Sequence, residues 1–415
     1  MGGVSMEWKE VRLGDVIDYK KGFAFKSSMY KNTGTYIVRV SDTTANSVDV
    51  SLCNCISPEL AHQYTDYSLK TKDIIIATVG SWPTNPASIV GKVVRVPESA
   101  NNALLNQNAV RIRSNGIVDS DYLYYLLKEE HFSKYLVGTA QGSANQASIT
   151  LKDIFGYSFS APSEIKDQHR IASILSSLDR KIELNNKINA DLEEMAQAIF
   201  KNWFVDFEPF KDGKFVDSEL GMIPEGWKVG RLTEIASYMN GLAMQKFPPE
   251  NDEDSLPVLK IKELGQGFCG PDSDRCSCNI KDECKVHNGD VIFSWSGTLL
   301  VDVWCGGDCG LNQHLFKVTS KEYPKWFYYY WTKHHLQEFI HIAKDKAVTM
   351  GHIKRGHLEE ALVAIPDNDS MERAHELFEP ILSKMISLRL ENSRLFLLRD
   401  TLLPRLMSGE IEVPE

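Results

Sequence analysis

The chain has 415 residues, a length that accommodates two or three domains of ordinary size. Hydrophobic residues make up 43% and charged residues 25%, a balance that excludes an intrinsically disordered chain. The net charge of −10 argues against a protein that binds DNA alone and without sequence preference, since such binding depends on a strongly basic surface.

No stretch of the sequence predicts a membrane helix or a secretory signal. Apolar runs fall short of the roughly 18 residues that a spanning helix needs, and the N-terminal residues lack an apolar core. We therefore expect a cytoplasmic protein without membrane contact. In that compartment the eight cysteines are expected to be thiols or metal ligands rather than disulfides.

Residues 1–163 predict a domain built mainly from short strands. Runs of β-branched residues at 36–40, 73–79 and 89–96 alternate with turns, and a single helix is expected near 121–136. This pattern is typical of an α+β domain.

Residues 164–204 predict a long helix, because they contain neither proline nor glycine. Apolar residues recur at alternating three- and four-residue steps, which is the pattern of a coiled-coil seam, with Lys181 as the one misfit. At ~1.5 Å per residue the helix would be about 60 Å long, more than one domain needs for its core. The predicted seam residues are Ile171, Ile174, Leu178, Asn185, Ile188, Leu192, Met195 and Ile199.

After a predicted linker at 205–225, residues 226–366 repeat the first domain. Residues 7–25 align without gaps with residues 226–244, and Trp, Lys, Arg, Leu, Tyr, Gly and Ala coincide. Further along, Leu105-Asn106-Gln107 recurs as Leu311-Asn312-Gln313. The order of these matches predicts two copies of one domain.

The second copy is followed by another predicted helix and tail at 367–415, with Ser370 as a candidate N-cap. Arg399 interrupts its seam, and an offset of 207 residues places Asn185 on Asn392. In an antiparallel pair the two asparagines could meet and fix the register; the alternative is that each is an exposed interruption. The predicted seam residues are Phe378, Ile381, Met385, Leu388, Asn392, Leu395, Leu402 and Leu406.

The expected fold is therefore α+β, with two repeated, mainly-β domains separated by two long antiparallel coiled-coil helices in a pseudo-two-fold arrangement. Two similar readers held at a fixed separation suit a DNA site that is split into halves, because half-site spacing mirrors protein geometry.

Several motifs occur in order along the chain: WKEVRLGD at 8–15, QHRIASILSSLDRK at 168–181, FKNWFVDF at 200–207, SELGMIPEGW at 218–227 and LPRLMSGEI at 403–411. With them the sequence resembles the specificity subunits of type I restriction-modification systems over essentially its full length.

The resemblance implies a non-catalytic subunit whose two target-recognition domains each read one half of a bipartite site in double-stranded DNA. The chain itself would hold no cofactor. Two methyltransferase subunits, docked on the helices, would carry S-adenosylmethionine and modify adenine, and a restriction/translocase subunit would join them.

Candidate DNA contacts are polar side chains, which read base edges, and lysines or arginines, which hold phosphates. Many of them could simply bond turns, and the repeated Asn-Gln could be scaffold, so residues that differ between the copies should discriminate. The first domain offers Lys20, Lys21, Lys26, Ser81, Trp82, Asn85, Asn106, Gln107, Asn108 and, in a polar loop, Gln141, Ser143, Asn145 and Gln146. The second offers Asn240, Gln245, Lys246, Ser296, Asn312, Gln313, His314, Lys344, Lys346, His352, Lys354 and Arg355.

The sequence leaves other functions open. Asp272 with Glu283 and Lys285 outlines a Mg²⁺-dependent nuclease site, but the pattern is short and the first copy has no counterpart. Cys276, Cys278 and Cys284, with Cys305 or Cys309, could hold zinc, although the paired C-x2-C spacing is missing. A coiled-coil scaffold whose globular ends bind proteins is the remaining alternative. We expect no catalytic residue and no metal site.

Overall fold

The computed structural model of the chain describes residues 6–82, 90–143, 146–250, 254–345 and 351–413. The chain divides into two compact units, Met1–Arg180 with Phe396–Glu415, and Lys181–Leu395. Each unit combines a β-rich part with part of each of two long helices. Within the described ranges, no helix has the length and apolar character needed to cross a membrane.

The first unit is made of short strands and short helices, followed by the start of a long helix. Its helices are α1 (Pro58–Ala61), α2 (Ser120–Lys128), α3 (Glu130–Thr139), α4 (Leu151–Gly156) and the N-terminal part of α5 (Ile165–Phe200). Its strands are β1 (Trp8–Arg12), β2 (Ile17–Lys21), β3 (Thr35–Val38), β4 (Asn54–Ile56), β5 (Ile74–Ala77), β6 (Val79–Gly80), β7 (Val93–Arg95), β8 (Leu104–Leu105), β9 (Ala109–Ser114), β10 (Gln141–Ser143), β11 (Gln146–Ser148) and β12 (Ser158–Pro162).

The second unit is built in the same way. Its strands are β13 (Phe215–Ser218), β14 (Gly221–Pro224), β15 (Lys228–Arg231), β16 (Ser237–Asn240), β17 (Ser255–Leu259), β18 (Arg275–Ser277), β19 (Lys285–Val286), β20 (Val291–Ser294), β21 (Leu300–Val303), β22 (Cys309–Leu311), β23 (Leu315–Thr319) and β24 (Leu362–Ile365). Its helices are α6 (Leu232–Ile235), α7 (Ile261–Gln266), α8 (Lys325–His334), α9 (Leu336–Asp345), α10 (Arg355–Glu360) and most of α11 (Asn368–Met407).

Two sheets of each unit have matching strand orders, which confirms the two β-rich domains. The sheet β2-β9-β5-β7 of the first unit corresponds to β16-β23-β20-β21 of the second, and β4-β3-β8 corresponds to β18-β17-β22. In each unit the strand that carries the repeated Trp-Lys motif, or directly follows its tryptophan, pairs antiparallel with the strand that precedes a long helix, β1 with β12 and β15 with β24. The helix expected near 121–136 is two helices, α2 and α3, separated at Glu129.

The long helices pack together and run antiparallel in both units. In the first unit, Ile171 and Leu175 of α5 share a core with Leu406 of α11, and Asp179 bonds to Arg399. In the second unit, Asn185 bonds to Asn392, and the ring of Phe200 lies 6.3 Å from that of Phe378. Successively later residues of α5 contact successively earlier residues of α11, so the helices run antiparallel, as the sequence predicts.

One feature near the ends of the helices differs from the expectation, and another adds to it. Ser370 lies inside α11, and the cap is Asp367, whose carboxylate accepts a hydrogen bond from the backbone N–H of Ser370 at 2.8 Å. The predicted linker at 205–225 is structured, because β13 and β14 pair as a hairpin and Phe207 and Ile223 are buried in the core of the second unit.

Candidate nucleic-acid interface

In both units the backbone of a repeated glycine, Gly22 or Gly241, lies directly against the backbone of the repeated Leu-Asn-Gln. A Cβ atom on Gly22 would lie 1.8 Å from the carbonyl oxygen of Asn106, and one on Gly241 would lie 2.1 Å from that of Leu311. Only glycine allows this approach, which explains why the glycine is repeated. The same crossing is therefore built into each unit.

The repeated asparagine serves this crossing in both units. Asn106 is 6% exposed, and its side-chain oxygen accepts from the N–H of Gln107 at 2.6 Å. Asn312 is 8% exposed, and its side-chain oxygen accepts from the N–H of His314 at 3.2 Å. These local bonds favour the scaffold interpretation of Asn-Gln, in which the asparagine shapes the turn and the neighbouring side chains face outward.

In the second unit a groove of about 620 Å³ opens beside this turn. Its lining brings together four of the predicted residues, Gln245, Asn312, Gln313 and His314. It also contains four charged residues that the sequence analysis missed, Lys260, Lys262, Asp274 and Arg275. Donors and acceptors of this kind are the groups that read base edges and hold phosphates.

The buried carboxylate of Glu263 organises two sides of the groove. Glu263 is 3% exposed; one of its oxygens accepts from the backbone N–H of Lys260 at 3.2 Å, and the other accepts from the hydroxyl of Ser273 at 3.1 Å. Ser273 in turn accepts from the N–H of Gly270 at 3.0 Å. Glu263 thus ties the start of α7, with its lysines, to the loop that carries Asp272 and Asp274.

Two ion pairs connect these same segments. The ammonium of Lys262 contacts the carboxylate of Asp272 at 2.6 Å, and that of Lys260 contacts the carboxylate of Asp274. The hydrogen bond from Lys262 lowers the pKa of Asp272, and the bond to Asp272 raises the pKa of Lys262. Both lysines are therefore paired within the chain.

A second polar cluster continues from the groove at the ends of β20 and β22. The hydroxyl of Ser296 lies 3.2 Å from Nδ1 of His314, and Nε2 of Gln313 lies 3.3 Å from Nε2 of His314. Ser296 forms an isolated bridge with His352, and the ring of Trp295 lies 5.9 Å from that of His314. Four of the predicted residues thus lie together around Trp295.

The corresponding position in the first unit has a different chemistry. Lys260 follows β17 as Arg39 follows β3, and Glu263 corresponds to Asp42, which is 1% exposed. Arg39 bonds to both oxygens of Asp42, at 3.0 and 2.7 Å, and to the carbonyl of Leu52 at 2.9 Å. The Arg39 guanidinium is therefore held against its own buried carboxylate rather than at the rim of a groove.

The predicted residues of the first unit lie on several elements. Lys20 pairs with Asp66 at 3.0 Å and lies 4.8 Å from the ring centroid of Tyr67, whereas Lys21, Lys26 and Gln107 are exposed. Asn108 has a positive φ of 70°, a conformation that asparagine tolerates, and Ser81 and Trp82 are half-buried.

The predicted polar loop of the first unit is largely a hairpin. Gln141 pairs with Ser148, and Ser143 with Gln146, and the second strand of the hairpin also pairs with β6. Asn85 and Asn145 lie outside the described residues, as does Lys346 in the second unit.

The remaining predicted residues of the second unit are exposed and do not line the groove. They are Asn240, Lys246, Lys344, Lys354 and Arg355. Lys354 and Arg355 lie at the start of α10, and Lys344 lies near the end of α9.

The missed residues carried a weak signal in the sequence. Lys260-Ile261-Lys262 follows a strand, and Asp272-Ser273-Asp274 precedes the next one, which begins at Arg275. Apart from Lys260, which corresponds to Arg39, no repeat marked these charges, because the first copy has Ser41 at the position of Lys262 and Asn54-Cys55 at the strand that corresponds to β18.

The residues of the alternative metal sites have other partners. Asp272 pairs with Lys262, Glu283 with Lys281 at 3.8 Å, and Lys285 with Asp282 at 2.8 Å. All eight cysteines are free thiols. In the described part of the chain, no three His, Cys, Asp or Glu side chains are grouped so that they could hold a metal ion.

Comparisons with known proteins agree with this architecture. A family model for the type I restriction modification DNA specificity domain matches residues 6–194 and 224–387. The chain is 32% identical over 336 residues to the type I restriction enzyme MjaIX specificity subunit of Methanocaldococcus jannaschii, covering 76% of this chain and 75% of that relative. It is 22% identical over 474 aligned positions to the type I restriction enzyme HindI specificity subunit of Haemophilus influenzae, covering 98% of this chain and 100% of the relative.

A solved structure shows the same fold. The crystal structure of the type-I restriction-modification system S subunit from M. genitalium is similar at a TM-score of 0.54, with 16% identity over 100% of this chain and 98% of the other.

Proposed function

Since this chain belongs to the DNA specificity subunits of type I restriction-modification systems, we propose that its two units each read one half of a bipartite DNA target. It is a non-catalytic component that works with DNA, methyltransferase subunits and a restriction subunit. The family carries no cofactor itself, and S-adenosylmethionine is bound by the methyltransferase subunits. Family membership also supports a cytoplasmic location.

We assign target recognition to residues 1–163 and 226–366, with the spacer helices at 164–204 and 367–415 and the connecting segment at 205–225. In the second of these domains the reading surface is the groove at Gln313 and His314 together with the Ser296 cluster. In the first it is the exposed surface around Gln107, together with Lys20, Lys21 and Lys26, which lie within three residues of Phe23, the bridge partner of Asn106.

The observation that carries the proposal is a shared scaffold with different side chains. Both units place a buried asparagine at the same backbone crossing, yet one presents paired lysines beside it and the other a locked arginine. Two domains that recognise different base sequences need a similar backbone scaffold with different exposed side chains.

The test is a genome-wide map of methylated adenine in the source organism with and without this gene. We expect deletion to remove methylation at one split motif and to leave other motifs intact, and restoration of the gene to return it. An unchanged map would contradict the proposal and favour the protein-binding scaffold, which predicts no sequence-dependent DNA affinity.

A further inference from the structure

The lysines at the groove of the second unit are neutralised by carboxylates from an adjacent loop. Lys260 and Lys262 lie at the start of α7, and Asp272 and Asp274 lie in the segment that leads to β18. The two pairs are exposed, with side-chain exposures of 42% and 63% for Lys260 and Asp274, and 60% and 46% for Lys262 and Asp272. Water and ions can therefore separate them at little cost.

Such pairs reduce the affinity of the groove for DNA of the wrong sequence. A lysine that binds a phosphate gains affinity by releasing condensed counterions, whatever the bases are. A lysine that already has a carboxylate partner must first lose it, and the carboxylate then faces the phosphates, so the sequence-independent gain is reduced. At a base edge the same carboxylate can accept a hydrogen bond only from an amino group, such as N4 of cytosine.

The position of these carboxylates is fixed by the fold. Glu263 binds the backbone of Lys260 and the hydroxyl of Ser273, which lies between Asp272 and Asp274. Because Glu263 is buried, the two acidic side chains are held opposite the two lysines rather than on a free loop. The first unit has no such exposed pairs after β3, since Arg39 is bound to the buried Asp42.

We propose that Asp272 and Asp274 are specificity-determining residues, which make phosphate binding by Lys262 and Lys260 conditional on the correct half-site. On the correct sequence the carboxylates turn to the bases and release the lysines to the backbone. On other sequences the carboxylates stay beside the lysines and repel the phosphates. This inference rests on the proposed function and adds to it the residues that suppress binding elsewhere.

The experiment uses the full chain assembled with its methyltransferase subunits. Binding to a duplex with the target from the methylation map, and to a scrambled duplex, is measured over a range of salt concentrations for the wild type and for Asp272→Asn/Asp274→Asn. The matched control is Asp282→Asn, which removes an exposed carboxylate paired at 2.8 Å with Lys285, a lysine outside the groove lining, whereas Lys260 and Lys262 line the groove.

We expect the double variant to bind the scrambled duplex about tenfold more tightly, and its affinity to fall more steeply with salt by about one to two phosphate contacts. Its preference for the target should fall about tenfold or more, while Asp282→Asn behaves as the wild type. An unchanged preference and salt slope, or an equal effect in the control, would overturn the inference alone. A wild type that fails to distinguish the two duplexes would overturn the proposed function, and this inference with it.

Discussion

Lys128 is a largely buried cation at the end of α2 in the first unit. Its ammonium donates to the side-chain oxygen of Asn46 at 2.8 Å and to the carbonyl of Ala45 at 3.2 Å. Burial lowers its pKa to about 8; the positive charges of Arg399 and Lys92 add to this, and the carboxylates of Asp179 and Asp400 oppose it. The folded protein therefore binds this proton less tightly than the unfolded chain does.

This shift predicts a pH dependence of stability. Between about pH 8 and the unperturbed pKa of 10.5, the unfolded chain holds the Lys128 proton while the folded chain has lost it, so the folded state gains stability as pH rises. Compared with Lys128→Met, the wild type should gain about 1–3 kcal/mol between roughly pH 7.5 and pH 10. Urea midpoints at both pH values measure this difference.

The matched control is Lys134→Met on α3, where the lysine side chain is 69% exposed. The difference in urea midpoint between the wild type and this control should stay constant with pH. Parallel pH profiles for the wild type and Lys128→Met would show that the lysine is not perturbed as described.

Individual site residues could be predicted only where the sequence repeats or has an unusual composition. The Asn-Gln pairs were found because they recur, and the structure places both asparagines in the backbone crossing, with Gln107 exposed and Gln313 in the groove lining. Lys260 and Asp274 could not be found in this way. Their roles depend on Glu263, which binds both the backbone of Lys260 and the hydroxyl of Ser273 and so joins two segments that are separate in sequence.

At the scale of the long helices, the meeting of Asn185 and Asn392 is the main polar feature of the pair. The amide of Asn185 donates to the side-chain oxygen of Asn392 at 2.8 Å and to Glu391 at 2.9 Å, and Asn392 donates to Asn186 at 2.8 Å. Asn185 is 0% and Asn392 5% exposed, so neither is an exposed interruption. In a buried seam this bond favours one register over its neighbours.

The asparagine bond predicts a non-additive mutant cycle. Asn392→Leu leaves the buried amide of Asn185 without one acceptor and should reduce the free energy of unfolding by about 1–3 kcal/mol. Asn185→Leu/Asn392→Leu removes both partners and should be close to neutral, because no buried amide is left unpaired and the other acceptors, Asn186 and Glu391, are accessible to water. Urea unfolding of the wild type, both single variants and the double variant measures the coupling.

The exposed Ser387 on α11 offers the control, since Ser387→Leu adds the same side chain outside the seam. It should leave the unfolding midpoint within about 0.5 kcal/mol of the wild type. If the loss of unfolding free energy in the double asparagine variant equals the sum of the losses in the two single variants, a direct bond between the two residues is contradicted.

Both helices could be predicted from the sequence, but several residues on the buried face of α5 lie next to the predicted seam positions rather than at them. Ile171 and Asn185 are buried as the seam predicts, whereas Met195 is 45% exposed and the adjacent Ala196 is fully buried. Leu175 and Ile182 are likewise buried beside the predicted Ile174 and the misfit Lys181. The helix packs on its own globular part as well as on α11, and a seven-residue repeat alone cannot locate that second contact.

At the scale of the whole molecule, the duplication was visible in the sequence because the scaffold residues recur in order. The matching sheet topologies follow from that repeat. The short strands outside it, such as the hairpin at Phe215–Pro224, were not predicted, since their packing depends on aromatic side chains that are distant in sequence. Phe210 and Trp227, for example, lie 4.9 Å apart between ring centroids.

The most direct test of the account is to exchange one reading domain. Residues 226–366 are replaced by the corresponding segment of another family member with a known target, and methylated adenines are mapped in cells that carry the hybrid chain with its methyltransferase. We predict that one half of the split motif changes to that of the donor, and that the other half is retained. A change in both halves, or the retention of both, would contradict the claim that each unit reads its own half of the DNA target.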